Sequence, residues 1–164
     1  MSNDAPITVG HFKRILAATD GSNGAAAALR SAADLAALTH AELAVLNVLQ
    51  VDEIASLHDP EPREFARVEH LRGDYAEAKE VMAESILADA KKIVNEWPGL
   101  GASFVVLEGD PATEILRYAG EIAADTIVIG RRGRGRLPGL IWGSVSQKIA
   151  SHAPMTTIIV PHEK

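Results

Sequence analysis

Short, continuously apolar runs alternate along this chain with longer stretches whose apolar positions recur at helical spacing. The runs are 14–19 (RILAAT), 43–49 (LAVLNVL), 103–108 (SFVVLE), 126–129 and 156–160 (TTIIV). Each has the length and unbroken character of a strand covered on both faces. Between them the pattern predicts a helix over 25–39, with Leu29, Leu35 and Leu38 near helical spacing. A second helix spans 74–97, where Tyr75, Ala78, Val81, Met82, Ile86, Ala90, Ile93 and Val94 form a stripe of about 3.6-residue period. A third starts with Asp110 as N-cap and Pro111 as first helical residue and runs to about Ala123. A fourth covers 143–152. Asp20 to Gly24 reads as a tight turn, and Trp97-Pro98-Gly99 ends the second helix. Residues 1–11 read as a loose leader. Asp59-Pro60-Glu61-Pro62 makes 51–72 a loop, with room for a helical turn at its end.

Strand and helix alternate through the whole chain. The expectation is an α/β fold: one domain over 1–164, with a core of about 13–161. A five-stranded parallel sheet carries helices on both faces, in the Rossmann-like manner of nucleotide-binding proteins. Such open sheets bind ligands outside the carboxyl ends of the strands, where strand order reverses. The turn Thr19-Asp20-Gly21 and the loop from Gly130 onward both lie at carboxyl ends, so they are expected to be neighbours.

Composition narrows the function. The chain has 164 residues, 47% hydrophobic and 23% charged, with no cysteine, so disulfide and thiolate chemistry are excluded. The opening residues show no basic segment followed by an apolar one. No apolar run approaches the ~20 residues of a membrane span. A cytoplasmic protein without membrane contact is expected. The net charge of −6 argues against attraction to nucleic acid. Against that background Arg131, Arg132, Arg134 and Arg136 concentrate positive charge in one loop, which suits a local anionic ligand. The six histidines are scattered, without metal-ligand spacing.

The arginine loop empties onto a predicted helix that opens at Gly143-Ser144. The first N–H groups of a helix lack intrahelical partners, and the helix dipole adds positive charge there, so this is a physical device for holding phosphate. Two common glycine motifs fail. The P-loop spacing from Gly130 has Arg where Lys is required and Leu137 where a magnesium-binding hydroxyl is required. The dinucleotide fingerprint from Gly133 has its last glycine one residue late and follows the fourth strand rather than the first. No nucleophile elbow or zinc-protease motif is present. The spacing that fits is Gly130-x2-Gly133-x9-Gly143-Ser144. Ser144 and Ser146 add hydroxyls beside the free N–H groups. Asp20 suits the same site only with a cation or a sugar hydroxyl in front of it, because a bare carboxylate repels phosphate. Magnesium or manganese fits that need. Plainer roles stay open: Asp20 as a cap of the first helix, Ser144 as an N-cap, the arginines as a solvated loop, Ser22 and Asn23 as turn or cap residues, and Trp142 as a packing or surface residue.

This glycine spacing, after TIVIG and before VSQKIASHAPMTTIIVP, resembles the universal stress protein family in its ATP-binding branch, within the adenine nucleotide alpha-hydrolase-like superfamily. The opening RILAATDGS resembles that family's first strand, and the similarity extends from about Lys13 to Pro161. The resemblance implies that Asp20 lies near ribose and phosphates or their metal, and that Ala18 and Thr19 lie beside the adenosine. It implies that the Val48 backbone meets the adenine edge. Gly130 and Gly133 would lie near ribose and phosphate, while Gly143, Ser144, Val145 and Ser146 take the phosphates. Arg131 is counted with the binding loop, although the resemblance assigns its arginines no contact. A homodimer through the edge strand 156–160 is also implied. The leading expectation is an ATP-binding regulatory module of the stress-response type. A slow ATPase or a phosphotransferase, including self-phosphorylation on Ser144 or Ser146, is the alternative. An RNA-binding module using the arginines is the weaker one.

Overall fold

The computed structural model describes residues 12–50, 79–133 and 142–161. The chain forms β1 (Arg14–Ala18), α1 (Asn23–Thr39), β2 (Glu42–Leu49), a second helix α2 described over 79–94, β3 (Ala102–Glu108), α3 (Pro111–Glu121), β4 (Thr126–Gly130), α4 (Ser144–His152) and β5 (Thr156–Val160). The five strands make one parallel sheet in the order β3-β2-β1-β4-β5. The chain winds from β1 outward to β3, then crosses back to β4 on the other side of β1. Strand order therefore reverses between β1 and β4, as the alternation predicted. The expected leader, the 51–72 loop, the first turn of the 74–97 helix, and Arg134 and Arg136 lie outside the described residues.

Two apolar layers sandwich the sheet. Ile15, Ala17, Val45 and Val128 face α1 and α2, packing with Leu29, Ala32, Ala90 and Val94. Leu16, Leu46, Ile127 and Ile129 face α3 and α4, packing with Ile115, Ala119 and Ile149. Alternate residues of one strand thus enter opposite layers, which is why the strands read as unbroken apolar runs. The helix stripes differ from expectation in their large residues. Leu38 is 74% exposed, and the buried face of α1 is alanine (25, 28, 32, 33 and 36) around Leu29. In α2, Val81 and Met82 are exposed while Ala83, Ile86, Ala90 and Val94 are buried. Alanine faces let a helix lie close on the sheet, so burial there follows small residues rather than large ones.

Helix ends follow their local chemistry. Ser22 caps α1, its Oγ accepting the Ala25 N–H at 3.2 Å, so the helix starts at Asn23 rather than Ala25. Asp110 caps α3 by accepting the Thr113 N–H at 3.0 Å, with Pro111 in the first turn as predicted. The Thr113 hydrogen bonds, with help from Lys148, hold the Asp110 carboxyl below its usual range. The α3 helix stops at Glu121, and Ala123 takes a left-handed φ of 51° in the turn that follows. Among the described residues no helix is long and apolar enough to cross a membrane.

Candidate functional site

The site forms at the carboxyl ends of β1 and β4, where the reversal leaves a crevice. After Ala18, β1 passes into a turn that Gly21 makes with φ 76°. Thr19 Oγ1 accepts the Gly21 N–H at 3.3 Å, and Asp20 Oδ1 accepts the Ser22 N–H at 3.0 Å. These two bonds fix the Asp20 carboxylate relative to the strand. Asp20 is not the cap of α1, a role Ser22 fills.

From the other side of the crevice, the loop after β4 meets that carboxylate. A β-carbon on Gly133 would stand 2.3 Å from Asp20 Oδ2, so any side chain here would have to push that carboxylate aside. The two carboxyl-end loops are thus neighbours, as the topology predicted. Gly130 is different. A β-carbon there would stand 2.8 Å from the carbonyl of Gly24 and 3.1 Å from the Ala25 nitrogen, so the first turn of α1 rests directly on its Cα. Gly130 was expected near ribose and phosphate; the structure gives it a packing duty at the edge of the site.

The neck of the loop is closed by hydrogen bonds on one residue. The Arg131 N–H donates to the Val160 carbonyl at 2.9 Å, continuing the β4–β5 ladder. The Arg131 carbonyl accepts the Gly143 N–H at 2.9 Å, and the Ser146 hydroxyl lies 2.9 Å from the same oxygen. Ser146 Oγ is also 2.9 Å from the Gly143 carbonyl. A hydroxyl has one proton, so either carbonyl takes it. Ser146 was expected to offer its hydroxyl to phosphate; instead the buried side chain ties the start of α4 to the end of β4. Its backbone N–H remains part of the open helix start.

Among the described residues no side chain caps that start. Gly143 is the N-cap, with no side-chain hydrogen bond to the first turn. The first intrahelical bond is Gln147 N–H to the Gly143 carbonyl, so the N–H groups of Ser144, Val145 and Ser146 have no carbonyl within the helix. Ser144 is the first helical residue, exposed, and not the cap. The helices α1 and α3, by contrast, have Ser22 and Asp110 on theirs. Arg131 Nε is buried without a hydrogen-bond partner among the described residues, and Trp142 is exposed.

On the far side of β1, Val48 is half-buried near the end of β2. Its neighbour Asn47 is buried and reaches across the end of β1: Asn47 Nδ2 donates to the Thr19 carbonyl at 2.8 Å. Sequence reasoning passed over Asn47. The available signal was a lone amide in the otherwise apolar run LAVLNVL. Among the described residues no group of three or more acidic, histidine or cysteine side chains could hold a metal by itself, so a cation at Asp20 needs other oxygens to complete its shell. A surface hollow of about 280 Å³, lined by Arg14, Glu42, Tyr118 and Ile122 among others, lies at the opposite, amino end of the sheet.

Comparison with known proteins gives one family. Residues 11–161 match the model of the Universal stress protein family. The Stress response protein NhaX of Bacillus subtilis (strain 168) is 32% identical over 165 residues, covering 92% of this chain and 98% of that protein. The solved universal stress protein UspA from Lactobacillus plantarum superposes with a TM-score of 0.74 at 22% identity, over 92% of this chain and 99% of that one. A universal stress protein in complex with cAMP superposes with a TM-score of 0.68 at 19% identity, over 94% of this chain and 100% of that one. The universal stress protein from Archaeoglobus fulgidus in complex with dAMP gives 0.63 at 22%, over 92% and 98%.

Proposed function

The chain belongs to the universal stress protein family, and from that premise we propose that it binds ATP in the crevice between β1 and β4 and works as a nucleotide-dependent regulatory module. The observation that carries this is the start of α4. Three N–H groups there lack intrahelical partners, among the described residues no side chain caps them, and the loop that ends on them is closed at its neck by Arg131 and Ser146. Phosphate oxygens complete such an arrangement. Adenine nucleotides in two structural neighbours support the base class.

In this reading the residues divide the ligand among them. Ser144, Val145 and Ser146 bind phosphate through backbone N–H groups, with the Ser144 hydroxyl beside them and Arg131 supplying positive charge. Gly133 keeps the loop low enough for the nucleotide to bridge it to Asp20. Asp20 holds Mg or Mn, or a ribose hydroxyl, and the adenine edge faces Val48 with Ala18 and Thr19 beneath the nucleoside. ATP acts by ordering the loop, which changes what the surface presents to partners in the cytoplasm. Such a shift needs different ATP affinity in the two states. Strand β5 is one of the sheet's two outer strands, and its outer edge pairs with a second copy to make a homodimer. In this reading hydrolysis is not the main role, and self-phosphorylation on Ser146 is disfavoured because its hydroxyl is engaged with carbonyls.

Native mass spectrometry of freshly purified protein tests the reading, with calorimetry using ATP and magnesium to measure affinity. One ATP per chain, with a dimer as the main species, is the expected outcome. A Gly133→Ala variant is expected to lose ATP affinity about tenfold, the worth of one displaced charge-assisted contact. The loss should shrink in an Asp20→Ala background, where the obstructing oxygen is gone. Native protein that retains no ATP and shows no heat with ATP and magnesium would overturn the proposal.

A further inference from the structure

The end of the β1–β2 ladder is handled in an unusual way. In a parallel pair, each strand presents the N–H and C=O of alternate residues to its neighbour. The Thr19 N–H donates to the Leu46 carbonyl at 2.9 Å, so Leu46 faces β1; the Gly109 N–H donates to the Leu49 carbonyl at 2.9 Å, so Leu49 faces β3. By that alternation Val48 also turns its N–H and C=O toward β1. A continued ladder would bring the Val48 N–H onto the Thr19 carbonyl. The structure gives that carbonyl to the Asn47 amide instead, at 2.8 Å.

Asn47 is 2% exposed, and its Oδ1 is buried with no hydrogen-bond partner among the described residues. The position therefore carries an unsatisfied acceptor that a leucine of similar size would not. What the side chain delivers is its amide donor, to the last carbonyl of β1.

We propose that Asn47 is a positioning residue that ends the β1–β2 ladder at Thr19 and thereby leaves the Val48 peptide groups, N–H donor and C=O acceptor together, facing the crevice as a recognition edge for a 6-aminopurine. This rests on the nucleotide-binding function above and adds the cause of its base preference. A 6-aminopurine offers an acceptor ring nitrogen beside a donor amine, which complements the Val48 pair. A 6-oxopurine offers the reverse, a ring N–H beside an oxo acceptor, so donor would meet donor and acceptor would meet acceptor. The same bond fixes the Thr19 carbonyl, one residue before Asp20, so base edge and carboxylate are set by one side chain.

The test compares native protein with Asn47→Leu, and with Asn47→Ser as a second variant whose side chain is too short to reach Thr19. Folding is checked by thermal melting. Two readouts are then taken. The first is hydrogen exchange of the Val48 amide in nucleotide-free protein, followed by NMR. It is expected to be fast in the native chain and slowed in the variants, where the Thr19 carbonyl captures the Val48 N–H. The second is the calorimetric affinity for ATP against ITP. The native preference for ATP is expected to fall about tenfold in the variants, the scale of one or two hydrogen bonds. Folded variants with native Val48 exchange and an unchanged ATP-to-ITP ratio would overturn the role of Asn47. If native protein binds neither nucleotide, the binding function fails by itself, while Val48 exchange still decides whether Asn47 ends the ladder.

Discussion

Gly143→Asp is expected to abolish useful ATP binding while leaving the protein as stable as before. The backbone at Gly143 has φ −75° and ψ 151°, ordinary extended values that aspartate adopts freely. A β-carbon there would touch the Arg131 carbonyl at 3.3 Å and Ser146 Oγ at 3.5 Å, a tight but survivable fit. The new carboxylate would sit where an N-cap belongs and accept the N–H groups of the first turn. Relative to glycine a cap of this kind adds a few tenths of a kcal/mol, and the helix dipole adds about 0.3–1 kcal/mol. The crowding at Arg131 offsets part of that, so melting temperature should move by only a few degrees. Binding moves much further. A phosphate would lose at least two hydrogen bonds to a charged acceptor, each about 1.5–3 kcal/mol, and would face a like charge, so affinity should drop by ~100-fold or more. Gly143→Ala, which adds the same β-carbon without the carboxylate, should keep most of the binding. If calorimetry shows Gly143→Asp binding ATP like the native chain, the phosphates do not lie on α4.

The contrast between those two variants also explains what the sequence disclosed about the site. The spacing from Gly130 to Ser144 located the loop and the helix start, because glycines and a helix-opening serine are visible as letters. What the individual letters do was less visible. Ser146 looks like a phosphate donor when only its hydroxyl is counted. Folding places it under the Arg131 carbonyl, and a buried hydroxyl serves the nearest acceptor. Asn47 was hidden for the opposite reason. A single amide in an apolar run has no local partner, and its bond to Thr19 spans 28 positions of sequence. Contacts of that kind depend on strand order and register, which no local pattern encodes.

The fold itself was legible because its signals are local and repeated. Continuous apolar runs announced buried strands, and Asp110-Pro111 announced the start of α3. One boundary shifted inside the stretch read as a turn: α1 begins two residues early because Ser22, one of the turn or cap residues, caps it at Asn23. Leu38, Val81 and Met82 fall in the apolar stripes of their helices, where large side chains dominate the pattern. The sheet instead accepts alanine faces, and the larger side chains turn outward.

Gly130→Val is expected to act on the whole fold, with loss of binding only as a consequence. The atoms that a β-carbon would strike are the carbonyl of Gly24, at 2.8 Å, and the Ala25 nitrogen, at 3.1 Å. These belong to the backbone of the first turn of α1, which cannot rotate away as a side chain can. Overpacking of a core commonly costs about 1–3 kcal/mol; with rigid backbone on the far side, Gly130→Ala should fall near the top of that range and Gly130→Val beyond it. For a domain of this size each kcal/mol moves the midpoint by about 2–4 °C, so the valine variant should melt at least ~6 °C lower. The pairing of Gly24 with Gly130 also sets the height of α1 over β4, and with it the distance between the Asp20 turn and the loop at Gly133. Thermal denaturation of the two variants, without and with ATP, separates these effects. A native melting temperature for Gly130→Val, with ATP affinity alone reduced, would mean that Gly130 faces the ligand and not α1. A lowered midpoint, with ATP still raising it in Gly130→Ala, would place this glycine where the structure does: in the joint that brings the two halves of the crevice together.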